Sequence, residues 1–168
     1  MSKDSLIPPE IMALVGRERV FSCSQELGKA AIRRFAAAIG DRNHLYWDEE
    51  FARNSRYGGV IAPPTFIFEL NHNIGAELAQ DGLGVEEIEA RFPLGTLFRG
   101  GNEYEIFQPA RPDDVITIRR KVADIYQKPG RRGTLVFVIS EISYVNQRGE
   151  LLGVNRESFI FRRESEEK

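Results

Sequence analysis

Cysteine is nearly missing from this chain: Cys23 is the only one in 168 residues. No intrachain disulfide can form, which fits a reducing cytoplasm. Histidine is almost as scarce, with only His44 and His72. No His/Cys/Asp cluster therefore has metal-ligand spacing, and no metal is expected. Long apolar runs are also missing, and none approaches the ~20 residues that a bilayer span needs. The start, Met1-Ser2-Lys3-Asp4, leads into no apolar h-region, so neither a signal peptide nor a membrane partner is expected. An excess of either charge is absent too. The formal net charge of −2 gives no reason to expect nucleic acid as a partner. No Gly-rich loop follows a strand in the phosphate-cradling pattern, and no cofactor is expected.

What is present is an ordinary globular composition, 42% hydrophobic and 29% charged. The length suits one domain over residues 1–168 with a sizeable core. The charged tail from Arg162 to Lys168 is expected to fray.

Helical signals come first. Pro8-Pro9-Glu10 can start a short helix running through Ile11, Leu14 and Val15 to about Gly16. Arg19 to Cys23 reads as a short strand. Ser24 is an N-cap candidate for a helix with Leu27, Ala31, Ile32, Phe35, Ala36 and Ile39 at helical spacing, closed by Gly40. Asp48 is a second N-cap candidate, for a short helix through Phe51 and Ala52 that ends before Gly58-Gly59. Pro63-Pro64 can only enter a helix, and the apolar run of Phe66, Phe68, Leu70, Ile74 and Leu78 predicts a buried helix over 65–80, with His72 in its middle.

From about residue 93 the period becomes that of strands. Asn102–Phe107, Val115–Tyr126, Thr134–Val145 and Leu151–Arg162 are expected as four antiparallel strands. Turn-like segments join them, at Arg111-Pro112-Asp113-Asp114, at Lys128 to Gly133 and at Asn146 to Gly149. Lys128, Arg131 and Arg132 most simply cap a solvated hairpin. The predicted class is α+β, with a curved antiparallel sheet wrapped around a long central helix.

Three segments carry a family resemblance. They are Gly40-Asp41-Arg42-Asn43-His44-Leu45-Tyr46-Trp47-Asp48, Tyr57-Gly58-Gly59-Val60-Ile61-Ala62-Pro63-Pro64-Thr65-Phe66, and Gln108-Pro109-Ala110-Arg111-Pro112-Asp113-Asp114. In this order the chain resembles the N-terminal domain type of MaoC-like and fatty-acid-synthase-type dehydratases, whose fold is the hotdog. The catalytic members carry Gly-Asp-x-Asn-Pro-x-His-x-Asp at the first segment. This chain keeps Asp41 and Asn43, but has His44 at the Pro position and Tyr46 at the His position.

The resemblance implies an acyl thioester, of CoA or of a carrier protein, as the substrate moiety. Hydration of an enoyl thioester needs a base for water, an acid for the α-carbon and donors for the developing oxyanion. In the family the Asp/His pair handles water and proton, and an N–H at the start of the central helix serves the oxygen. Here the first pair is degenerate, since Tyr46 has a reference pKa of about 10. Pro64 stands at the donor position and has no N–H.

A non-catalytic, acyl-thioester-binding subunit of an (R)-specific enoyl-thioester hydratase or 3-hydroxyacyl dehydratase is the first expectation. Tyr57, Gly58, Gly59, Ile61, Ala62, Pro63, Pro64, Thr65 and Phe66 would then line its substrate site. Assembly is expected as a homodimer, or as a heterodimer or heterotetramer with a catalytic MaoC-like chain. Two alternatives stay open: a self-sufficient homo-oligomeric hydratase using Asp41 with Tyr46 or with His44 as surrogate, and a non-enzymatic acyl-CoA binding module.

Overall fold

The computed structural model describes residues 5–22, 27–70 and 96–162. Five helical segments and five strands are present in these stretches. Helix α1, Pro9–Met12, starts with Pro at its first position as expected, but stops before Val15. The chain turns there through Gly16, whose φ of 87° suits glycine. The Gly16 N–H then donates to the Val122 carbonyl, which docks the segment on the sheet. Strand β1, Glu18–Ser22, follows.

Helix α2, Gly28–Ala38, buries Ile32 and Ala36 and ends where the sequence signals an end. Gly40 takes φ 73°. Its N–H donates to Ala37 O at 3.1 Å and that of Asp41 donates to Ala36 O at 2.9 Å. This is the paired closure that a glycine after the last turn makes possible. Ser24, expected as the cap, lies outside the described residues, as do Cys23 and His72. Leu27 precedes the helix and makes no side-chain cap.

The next segment holds a short helix that the sequence reading treats as loop. Helix α3, His44–Trp47, is started by Asn43, whose side chain accepts from the Leu45 N–H. Helix α4, Glu49–Asn54, is capped by Asp48, which accepts from both Glu50 and Phe51 N–H groups. Helix α5, Phe66–Glu69, is the described start of the helix expected over 65–80, and the remainder lies outside the described residues.

The sheet contains β2 (Thr96–Ile106), β3 (Ile116–Gly130), β4 (Gly133–Asn146) and β5 (Leu151–Arg162) besides β1. Its order is β1-β3-β4-β5-β2, with every neighbouring pair antiparallel. The last strand has the bounds the sequence predicts. Strand β2 starts at Thr96, well before the expected Asn102, because its ladder with β5 continues through a β-bulge at Arg99–Gly101. The β3–β4 connection shrinks to the Arg131-Arg132 turn, since pairing continues to Gly130↔Gly133.

Strand burial alternates because one face is covered. Two apolar clusters occupy that inner face. One gathers α2, α3 and α5 side chains over Ile116, Ile118, Ile142 and Tyr144. The other gathers Ile7 and the α1 region over Val122, Val136, Val138 and Phe159. Between them the same face carries polar residues. Arg120 and Glu157 are both buried and pair at 3.2 Å, and Arg99 reaches the second Glu157 oxygen at 3.2 Å.

Helix α5 lies tightly on β5 at Gly153. A Cβ placed there would stand 2.8 Å from Ile67 Cδ1 and 3.1 Å from the Glu105 carbonyl. Ile67 is itself fully buried and has little room to move. Gly153→Ala is therefore expected to destabilise the fold by about 1–3 kcal/mol, as overpacking does. A urea midpoint equal to that of the parent chain would contradict this close approach.

Candidate functional site

The end of β2 with the residues that follow it, helix α3 and the segment before α5 line a pocket of about 330 Å³. Of the residues singled out from the sequence, Asn43, Tyr46, Tyr57, Ile61, Ala62 and Pro64 line it. Its other wall is Ile106, Phe107, Gln108 and Pro109, which the sequence reading does not single out as site residues. Gln108-Pro109 belongs to the third family segment, but only the β2–β5 pairing turns that segment towards Tyr46 and Ala62. The lining is mostly apolar and resembles a ligand site in having few polar groups.

The remaining candidates fall elsewhere. Asp41 does not line the pocket. Its Oδ1 accepts from the Asn43 N–H at 3.0 Å, and its carbonyl accepts from Trp47 Nε1 at 3.2 Å. It thus serves the turn between α2 and α3, while its carboxylate also neighbours the phenol of Tyr46, which does line the pocket. The His44 ring packs against Phe51, with centroids 5.4 Å apart, and is likewise not in the lining. Pro63 is fully buried, and Phe66 packs on Phe35 at 5.1 Å. Thr65 is exposed. Gly58 takes φ 68°, which lets the chain reverse between α4 and the pocket segment of residues 60–63.

Backbone bonds and one buried carboxylate fix the walls to each other. The Ile61 N–H donates to Leu45 O at 3.3 Å, and the Ala62 N–H to Ala110 O at 2.8 Å. Arg111 Nη2 donates to the Tyr57 carbonyl at 2.9 Å. The Arg111 N–H donates to Asp114 Oδ2 at 2.7 Å, and Arg148 Nη2 to Asp114 Oδ1 at 2.6 Å. Asp114 is buried and so ties the 108–114 loop to the β4–β5 turn. The turn signal at Arg111-Pro112-Asp113-Asp114 is visible in sequence, but its partners, Tyr57 and Arg148, are not.

Tyr46 is the one titratable group of the lining with a resolved perturbation. Burial pushes its phenol above the ordinary value, and the Asp41 carboxylate, as a nearby negative charge and a hydrogen-bonding neighbour, pushes it further. Near pH 7 it is a neutral donor and acceptor and does not act as a base. Burial raises Tyr144 in the same direction, and strongly. A folded pKa above the unfolded one gives stability that is complete below about pH 10 and lost as pH rises through the folded value. Above about pH 10, stability should fall by up to about 1.4 kcal/mol per pH unit for each such tyrosine. Tyr46→Phe should make that alkaline limb shallower in pH-dependent urea titrations. An unchanged limb would mean that the fold does not raise the Tyr46 phenol.

Among the described residues no carboxylate or imidazole belongs to the pocket lining. Among the described residues no group of three His, Cys, Asp or Glu side chains could hold a metal ion. No helix among them is long and apolar enough to cross a membrane.

Residues 13–153 match the family model described as FAS1-like, dehydratase domain region. A UPF0336 protein of Streptomyces avermitilis is 31% identical over 119 residues, covering 70% of this chain and 75% of that protein. The MaoC-like dehydratase of Rhodospirillum rubrum superposes with TM-score 0.65 at 24% identity, covering 90% of this chain and 94% of that one. The ChsH1-ChsH2 complex of Mycobacterium tuberculosis gives TM-score 0.72 at 18% identity, over 94% of this chain and 90% of that one.

Proposed function

The chain belongs to the FAS1-like dehydratase domain region family and has the hotdog fold of MaoC-like dehydratases, and from that membership we propose that it is the acyl-thioester-binding, non-catalytic subunit of an (R)-specific enoyl-thioester hydratase or 3-hydroxyacyl dehydratase. One observation carries the reading. The pocket brings together residues of the Gly40–Asp48 and Tyr57–Phe66 segments, and among the described residues its lining offers Tyr46, Tyr57, Asn43 and Gln108 and no carboxylate or imidazole. Such a site can bind and orient an acyl thioester through apolar walls and neutral hydrogen bonds. Among the described residues the nearest carboxylate, that of Asp41, reaches this site only through the Tyr46 phenol, which is a poor proton exchanger near pH 7. Pro64, at the helix entry, contributes no N–H to a developing oxyanion.

A catalytic MaoC-like chain would supply the missing Asp/His pair. The likeness to the ChsH1-ChsH2 complex supports a heteromeric arrangement. Acyl-CoA or an acyl-carrier thioester is then the ligand, and no cofactor takes part.

The purified chain alone should hydrate crotonyl-CoA and longer enoyl-CoAs slowly or not at all. Loss of one oxyanion donor by itself costs on the order of 10²–10³ in rate. Acyl-CoA binding should nevertheless be measurable by calorimetry. Fast hydration by the chain alone, abolished by Asp41→Asn, would replace this reading with a self-sufficient enzyme built on Asp41 and Tyr46. Asp41→Ala should leave turnover of a two-chain complex near that of the parent.

A further inference from the structure

The outer face of the sheet divides into two unlike halves. Towards Ile116 and Asn146 it carries Arg119, Lys121, Glu141 and Arg156, with ion pairs to Glu18 at 3.4 Å and between Arg156 and Glu141 at 4.0 Å. A solvated antiparallel face looks like this. Towards the Arg131-Arg132 turn the face changes. Strand register sets Tyr126, Phe137, Ile160 and Phe98 side by side across β3, β4, β5 and β2. Tyr126 and Phe137 stack with centroids 4.9 Å apart and planes 11° apart. Phe98 is 40% exposed, and the other three are half-buried. These residues belong to neither inner cluster, where the described helices place their apolar side chains.

The rows on either side of this stripe differ in charge. On the turn side are Lys128, Leu135 and Arg162. Lys128 Nζ lies 5.0 Å from the Tyr126 ring, and the Arg162 guanidinium 5.1 Å from that of Phe98. On the other side are Asp124, Ile139 and Ser158. Asp124 is exposed, and Ile139 is buried at 6% on this outer face.

We propose that this half of the outer face is a self-complementary interface that pairs with the same face of a second copy of this chain. Take a two-fold axis between the two sheets, running across the strands at the level of Tyr126 and Phe137. The aromatic stripe then meets itself. Lys128 stands over the partner's Asp124, and Asp124 under the partner's Lys128. Leu135 faces the partner's Ile139, and Arg162 the partner's Ser158. The Arg131-Arg132 turn comes over the row that holds the partner's Glu141. An isologous contact requires this kind of reciprocity, in which each group finds its complement on the identical surface. The alternative two-fold that runs along strand β4 would exchange β3 with β5, laying Lys128 near the partner's Arg162 with repulsion. The contact uses a sheet face, so it is separate from the pocket and from any pairing at the free edge of β2. It does not depend on the proposed function.

Sedimentation velocity of the full chain over a micromolar concentration series tests the pairing. Phe137→Ser should halve the mass of the assembly. Lys128→Glu and Asp124→Lys should each weaken association on the order of tenfold, since each sets like charges face to face twice. The double variant, which restores opposite charges, should return close to the parent. Both charged residues are exposed, so this swap remains decisive even if Phe137→Ser fails to fold. Association indifferent to the charge reversals, a double variant no better than the singles, or an assembly that forms only with an unlike chain would each overturn the proposal.

Discussion

Replacing Glu157 by alanine is expected to destabilise the folded chain by about 3–5 kcal/mol, the usual cost of breaking a buried ion pair. Glu157 and Arg120 are both almost entirely inaccessible, 4% and 2% exposed. The carboxylate divides its two oxygens between Arg120 and Arg99. Without it two guanidinium groups lose the charge they share, one of them in the interior. Exchanging both partners for apolar residues, as in Arg120→Met with Glu157→Leu, should cost much less, because no buried charge is then left behind. Urea unfolding of the single and double variants measures the difference. A single-variant loss below about 1 kcal/mol would mean that the polar layer between the two apolar clusters is solvated in practice.

The second large effect concerns ligand length. Ala62 is 1% exposed, lines the pocket and is pinned by its bond to the Ala110 carbonyl. In the complex proposed for this chain and a catalytic partner, Ala62→Trp should fill the apolar space while leaving the partner's chemistry in place. Each buried methylene contributes about 0.8 kcal/mol, a factor of about four. Substrates should therefore lose kcat/KM progressively with chain length, and four-carbon substrates should be spared. Ala62→Leu should give a milder series of the same shape and guards against failure of the larger side chain to fold. Equal losses at every length would remove the pocket from acyl recognition.

Local signals in the sequence translate into local structure here. Gly40 closes α2 and Asp48 caps α4, because both effects involve backbone groups within a few residues. The alternation of Leu151 to Arg162 gives β5 its bounds, since a covered face and an open face impose period two. The expected start of β2 at Asn102 is too late, because only the neighbouring strand β5 carries the ladder through the bulge at Arg99–Gly101. The helix over 65–80 can be compared only at its start, Phe66–Glu69.

The candidate site was legible on one side. The motif residues Asn43, Tyr46, Tyr57, Ile61, Ala62 and Pro64 do converge, yet the facing wall from Ile106 to Pro109 carries no chemical signal of its own. It enters the pocket because β2 pairs with β5 at the sheet edge instead of with its sequence neighbour β3.

The sequence by itself determined the class of fold, the Asp48 cap, the helix end at Gly40, and Tyr46 where the resembled family carries His, which are properties of residue type and short spacing. Only the tertiary structure decided which residues share a wall, a charge or a face. Arg111 meets the Tyr57 carbonyl across 54 residues and Arg120 meets Glu157 across 37. The aromatic stripe from Tyr126 to Phe98 exists only through the register of four strands. These contacts depend on strand order and on which side of the sheet a residue points, and no local pattern encodes either for residues so far apart in the chain.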